Sequence, residues 1–181
     1  MSKPSTNAES TLPIQDDDHI AGSDTATVTI VAYCDFECPY CGRAYPIIKR
    51  LQARLGDRLR FVFRHFPLIH KHPLAQQAAE AAESADAQGQ FWAMHDLLFE
   101  NQEALEKDDL YVYGASLDLD VEWFEREVAG RVHEPRVNRD VRSGQRIGVK
   151  GTPTFFINGA LHTDEDTLER LVLRMSERRP I

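Results

Sequence analysis

All three cysteines of the chain lie in the stretch VAYCDFECPYCGRAYP, residues 31–46, where Cys34, Cys38 and Cys41 are spaced C-x3-C and then C-x2-C. Thiols at these intervals can form a dithiol–disulfide couple, ligate a metal or iron–sulfur cluster, or simply be buried as small apolar side chains. A redox couple needs one sulfur held as thiolate near neutral pH, because the thiolate and not the thiol attacks a disulfide. The unpaired N–H groups and the dipole of a helix start favour that charge. The sequence opens a helix at the motif. Cys38 falls at about the N-cap and Pro39 at the first helical position, where a missing N–H costs nothing. Cys41 follows one turn inward, and residues three apart in a first turn are neighbours within disulfide reach. The expected division is Cys38 as exposed nucleophile and Cys41 as resolving thiol. The Pro39–Tyr40 pair shapes the turn and helps set its potential, although Tyr40 also reads as a plain surface aromatic.

The elements that must position this pair can be read on either side of it. Residues 25–33, TATVTIVAY, are β-branched and apolar, as in a strand buried on both faces. Residues 39–55 carry Ile47, Ile48, Leu51 and Leu55 at helical spacing, with Gly56 as a stop. Residues 58–66, RLRFVFRHF, suggest a second strand. Strand, helix and strand make a βαβ unit with a parallel pair. The block 72–147 reads as a series of short helices, LAQQAAEAAESADAQ being the strongest, and stands as an insertion or second layer. In TPTFFING, residues 152–159, Asn158-Gly159 marks a hairpin turn, and DEDTLERLVLRMSERR closes the chain as a helix with an acidic start and a basic end. The order β-α-β, helical insert, β-β-α is an α/β, thioredoxin-like fold with a helical insertion at about 68–147.

Composition narrows the function. The 181 residues suit one domain, read as 19–181 behind a disordered acidic tail at 1–18. A formal net charge of -8 argues against nucleic-acid or anionic-membrane partners, since phosphate binding needs clustered Lys and Arg. No apolar stretch approaches the roughly 20 residues that cross a bilayer. The first eighteen residues have no apolar core of a secretory signal, so the expected setting is the reducing cytoplasm, where close cysteines are catalytic or metal-binding more often than staples.

The ordered series DHIAG, DFECPYCGRAYP, FVFRHFPL, AAEAAESADAQGQFWAMHDLLFE and GVKGTPTFFING resembles the DsbA-like branch of thioredoxin-fold thiol-disulfide oxidoreductases. It is similar above all to a bacterial subgroup that includes thioredoxin-like domains appended to some sodium/proton antiporters. The resemblance runs from about Asp18 to the C-terminus. It implies Cys38 and Cys41 as a redox-active disulfide with no metal or organic cofactor, and disulfide-containing proteins or small thiols as substrates. It also implies Thr152-Pro153 as a cis-proline loop beside Cys38, with the Thr152 backbone pairing to an extended substrate segment. Two positions depart from the family. Ala32 stands where a buried carboxylate commonly accepts the resolving thiol's proton, and Cys34 stands where Gly is usual in the subgroup. Deprotonation of Cys41 would then depend on water or on Asp35, with slower turnover.

Other readings compete for the same residues. C-x3-C-x2-C with aromatic Tyr40 just before its last cysteine also fits a radical S-adenosylmethionine [4Fe-4S] site, although that chemistry needs a larger array of βα units. Zinc would need a fourth ligand from His65, His70 or His72. A glutathione-dependent kappa-class-like transferase or isomerase is a further possibility, as is a redox-dead binding domain. Cys34 reads most simply as a small apolar side chain. The residues Phe91, Trp92, Met94, Leu97, Leu98 and Phe99 read mostly as core, with some available to line a substrate groove, and His95 as a surface or capping residue.

Overall fold

The structure is a computed structural model that describes residues 12–177. Its centre is a five-stranded sheet in the order β1-β3-β2-β4-β5, formed by β1 (His19–Gly22), β2 (Val28–Cys34), β3 (Leu59–His65), β4 (Thr154–Ile157) and β5 (Ala160–His162). Only β2 and β3 run parallel, with Val28 opposite Leu59 and Cys34 opposite His65. The crossover between them is α1 (Pro39–Leu55). The insertion holds five helices: α2 (Ala75–Asp86), α3 (Phe91–Glu100), α4 (Lys107–Ser116), α5 (Val121–Gly130) and α6 (Glu134–Arg146). The chain then forms the β4–β5 hairpin and α7 (Glu165–Ser176), which packs against α1. This is the mixed α/β architecture the element order predicts.

The period of two along β2 decides what lies near the cysteines. Val28, Ile30, Ala32 and Cys34 point into the larger core, which also holds Cys38, Cys41, Phe63, Leu98 and Phe155. Val31 and Tyr33 point the other way, into a smaller core with Val62, Phe66, Val149 and Phe156. Both faces are therefore covered, as a β-branched apolar run requires. The hairpin closes at Asn158 and Gly159, whose φ values of 47° and 82° suit a primed two-residue turn. Asn158 also accepts from the backbone of Thr29, tying the turn to β2.

Two expectations are corrected, and one strand is new. At four residues β1 is too short to display an alternation, yet it pairs antiparallel with β3. The strand expected from residue 25 begins at Val28. Of the tail expected at 1–18, residues 1–11 lie outside the described ones, but Leu12 and Ile14 pack on the smaller core and Asp18 is buried. Arg64 is the reason. Its Nε and Nη2 donate to the two Asp18 carboxylate oxygens at 2.8 and 2.7 Å, Nη1 donates to Tyr33 Oη at 2.9 Å, and Nη2 also reaches the Pro13 carbonyl at 2.7 Å. A guanidinium inside a sheet must be matched this completely or it destabilises the fold. The 12–18 segment is thus a strap across the second face.

Asp18→Ala leaves the Arg64 charge buried without its carboxylate, which should cost about 3–5 kcal/mol of folding stability. Urea unfolding should show a lower midpoint with an unchanged slope; a loss under about 1 kcal/mol would mean the strap is dispensable.

Candidate active site

The chain turns into α1 through a loop built on Asp35. One Asp35 carboxylate oxygen accepts the Glu37 N–H at 2.8 Å, and the other accepts the Leu68 N–H at 2.8 Å and faces His72 Nδ1 at 2.7 Å. Glu37 in turn accepts the Leu74 N–H at 2.6 Å. The Cys38 N–H closes onto the Asp35 carbonyl. These bonds fasten the turn before the helix to the segment entering α2. Asp35 is therefore an anchor with its acceptors engaged, not the free base that the sequence suggested.

Cys38 is the N-cap of α1, with Pro39 at the first helical position. Its side chain makes no capping bond; its Sγ lies 3.3 Å from the Thr152 carbonyl oxygen. The Thr152–Pro153 peptide bond is cis. Pairing of β4 with β2, with Tyr33 opposite Thr154, brings this loop to the start of α1. Pro153 is buried, Thr152 is half-buried, and Pro39 and Tyr40 are exposed, Tyr40 with the Arg43 guanidinium 4.3 Å above its ring. The expected site residues Cys38, Pro39, Tyr40, Cys41, Thr152 and Pro153 thus converge on one end of the sheet. One detail differs: Cys38, expected to be exposed, is 2% accessible because the loop at Thr152 lies against it.

Cys41 lies one turn inward and is 1% accessible. Burial pushes its thiol well up, the adjoining Cys34 thiol adds to that push, and the Cys38 side chain and the Asp35 backbone pull the other way. The Cys41 side chain likewise raises Cys38, helped by burial and opposed by the Thr152 side chain. Two neighbouring sulfurs cannot both carry charge, so they titrate as a pair. Burial is the main cause at Cys41 and the Cys41 neighbour the main cause at Cys38, while the start of α1 favours an anion at its N-cap.

Cys34 is buried on the same face of β2 and shares with Cys41 a cavity of about 20 Å³ that Tyr45, Phe63, His95 and Phe99 also line. The histidines proposed as a fourth zinc ligand are turned elsewhere: His65 bonds Glu83 at 2.8 Å, His72 bonds Asp35, and His70 is exposed. A single parallel strand pair also falls short of the βα array a radical enzyme needs. Among the described residues, the ligand types that do cluster are His19, His65 and Glu83. Glu83 Oε1 faces both imidazoles, at 2.7 and 2.8 Å. Burial raises the Glu83 pKa, but these two bonds outweigh it and hold the carboxyl well below its ordinary range. His65 Nδ1 has no partner to orient the ring for a metal, so the trio is better suited to a buried hydrogen-bonded knot.

Sequence reasoning missed two contributors. Gln102, beyond the end of α3, donates to the carbonyls of Phe36 and Cys38 at 2.7 and 2.9 Å. A Cβ on Gly42 would run into this side chain, which explains glycine in the first turn. No local signal links Gln102 to a loop so distant in sequence. His95, expected at the surface, is 4% accessible. It occupies the i, i+3, i+4 stripe with Phe91, Met94, Leu98 and Phe99, so its spacing carried the signal.

Residues 15–173 match the Thioredoxin family. With the site and sheet described above, the chain belongs to that family, and its fold is shared with DsbA-type structures such as α-DsbA1 of Wolbachia pipientis, at a TM-score of 0.77 and 16% identity over 93% of this chain and 95% of that one. Among solved structures, BdbD from Bacillus subtilis in its oxidised form superposes with a TM-score of 0.76 at 23% identity, covering 88% of this chain and 92% of that one. A thioredoxin-like oxidoreductase from Silicibacter pomeroyi gives 0.76 at 25% identity, over 96% and 99%. A Na(+)/H(+) antiporter, NhaA 3 from Salinispora tropica, is 46% identical over 161 residues, 88% of this chain. The match spans 24% of that antiporter, so the chain corresponds to about a quarter of the relative's length.

Gln102→Ala should release the Phe36 and Cys38 carbonyls from their shared donor, at a cost of about 1–3 kcal/mol, and should speed alkylation of Cys38 in the native protein. Unchanged stability and an unchanged alkylation rate would show that Gln102 does not hold the loop.

Proposed function

We propose that the chain is a thiol-disulfide oxidoreductase in which Cys38 attacks and Cys41 resolves. The observation that carries this reading is the Cys38 sulfur at the open end of α1, 3.3 Å from the Thr152 carbonyl, with the second thiol one turn inward. In the reducing direction the Cys38 thiolate attacks one sulfur of a substrate disulfide. A Cys38–substrate bond forms, and the other substrate sulfur leaves as a thiolate. Cys41 then attacks Cys38 Sγ, the Cys38–Cys41 bond forms, and the second substrate sulfur departs with a proton. The chain loses two electrons and the substrate gains them. Neither a metal nor an organic cofactor enters these steps.

The substrate class follows from the surface beside Thr152. A groove of about 470 Å³ runs along Gly148, Lys150, Gly151, Thr152, Pro153 and Leu161, with Leu161 among the exposed apolar side chains. Thr152 Oγ1 is buried there without a partner. An extended peptide could pair with the Thr152 backbone and set an apolar side chain on Leu161, a form of strand addition. A disulfide-bearing polypeptide therefore fits better than a small thiol alone. The cytoplasmic setting expected from the sequence, and with it the reductase direction, form part of this proposal. They require a reduction potential below the cytosolic glutathione poise of about −220 to −260 mV.

Cys41→Ser should trap the mixed disulfide: incubated with a disulfide-bonded polypeptide, it should form a covalent adduct that dithiothreitol removes. Cys38→Ser should form none, and wild type only a transient one. Equal trapping by the two variants would contradict the assignment of roles.

A further inference from the structure

The resolving step lacks an evident base. Cys41 must lose its proton to attack, yet its sulfur is buried and held well up. Ala32, on the adjacent strand, offers no carboxylate, and both oxygens of Asp35 are engaged. The remaining approach is the cavity of about 20 Å³ between Cys41, Cys34 and His95, which has room for one water. His95 enters it from α3, packed at ring-centroid distances of 4.9 Å from Phe63 and 5.0 Å from Phe99. Its Nδ1 lies 3.0 Å from one Asp96 oxygen, and the other Asp96 oxygen takes Lys49 Nζ at 2.6 Å. A carboxylate at Nδ1 selects the tautomer with the proton on Nδ1 and leaves the lone pair on Nε2. Burial, the main cause, lowers the imidazole pKa despite Asp96, so the ring is in its neutral, proton-accepting form at pH 7. The other titratable groups around it are Tyr45 and Lys49 on α1, His65 on β3 and the Cys34 and Cys41 thiols, and the Lys49 charge is paired with Asp96.

We propose that His95 accepts the Cys41 proton, through one water in this cavity, as Cys41 resolves a mixed disulfide on Cys38. The proposal rests on the redox reading of the pair. The Cys41 S–H bond breaks and the proton passes through the water to His95 Nε2. The electron pair left on sulfur forms the Cys41–Cys38 bond, and the Cys38–substrate bond breaks to release the substrate thiolate, which His95 can later reprotonate. In the oxidising direction the same path returns the proton to Cys41.

Stopped-flow reaction of the reduced protein with dithiobis(nitrobenzoate) separates the steps, because Cys38 attack releases one thionitrobenzoate and Cys41 attack releases a second. His95→Gln should leave the first release within about twofold of wild type and slow the second about a hundredfold, the scale of general-base catalysis. The wild-type second step should reach a plateau once His95 is neutral, whereas in His95→Gln it should keep rising with pH as the thiol itself titrates. Should His95→Gln fail to fold, Asp96→Asn keeps the ring but weakens its basicity, and should give a smaller slowing with the profile shifted to lower pH. An unchanged second release, equal slowing of both releases, or an unshifted profile in Asp96→Asn would each overturn the role of His95. Absence of the first release in wild type would instead remove the redox reading itself.

Discussion

The site depends on one meeting of backbone and sulfur: the Thr152 carbonyl against Cys38 at the mouth of α1. It exists because β4 pairs with β2 and so carries the loop before it to the end of the sheet where β2 gives way to the helix. Each side is braced separately. Asp35 fastens the turn below Cys38, Gln102 takes two carbonyls around it, and the Asn158 side chain ties the hairpin to Thr27 and Thr29. The dithiol is thereby held on regular elements, which fix geometry better than a free loop would.

The electrostatics of the pair are a contest between neighbours. A helix start stabilises an anion by fractions of a kcal/mol up to about 2 kcal/mol, while burial of a lone charge costs more. Both sulfurs are buried: Cys38 sits at the N-cap of α1 under the Thr152 loop, and Cys41 sits one turn inward among Ala44, Ile48 and Phe155. In the proposed mechanism the outer sulfur is the one that attacks as thiolate. The inner one is suited to hold its proton until a mixed disulfide gives it a target.

The parts legible in the sequence were those with a local signal. The apolar run of β2, the Pro39 start of α1 and the Asn158-Gly159 turn each fix their own conformation, and together they determine the thioredoxin-like order. The series of fragments around CPYC and GTP then carried the DsbA-like resemblance. What escaped depends on distance. Arg64 looks like the polar half of an alternating strand until Asp18 and Pro13 fold over it. Asp35 looks like a spare carboxylate until Leu68 and His72 occupy it. Gln102 acts on a loop that no periodicity links to it. Cys38 was expected to be exposed because the loop that covers it lies more than a hundred residues away. His95 is the instructive case, since its place in the apolar stripe of α3 was visible and its polarity argued against burial.

The central claim is that the open end of α1 makes Cys38 the more acidic thiol of a buried pair. The direct measurement is the pH dependence of alkylation of the fully reduced protein, mapped by mass to each cysteine. The account predicts that Cys38 reacts first, with a midpoint below the roughly 8.5 of free cysteine, while Cys41 and Cys34 stay unmodified through that range. A Cys38 midpoint at or above 8.5, or earlier modification of Cys41, would contradict it.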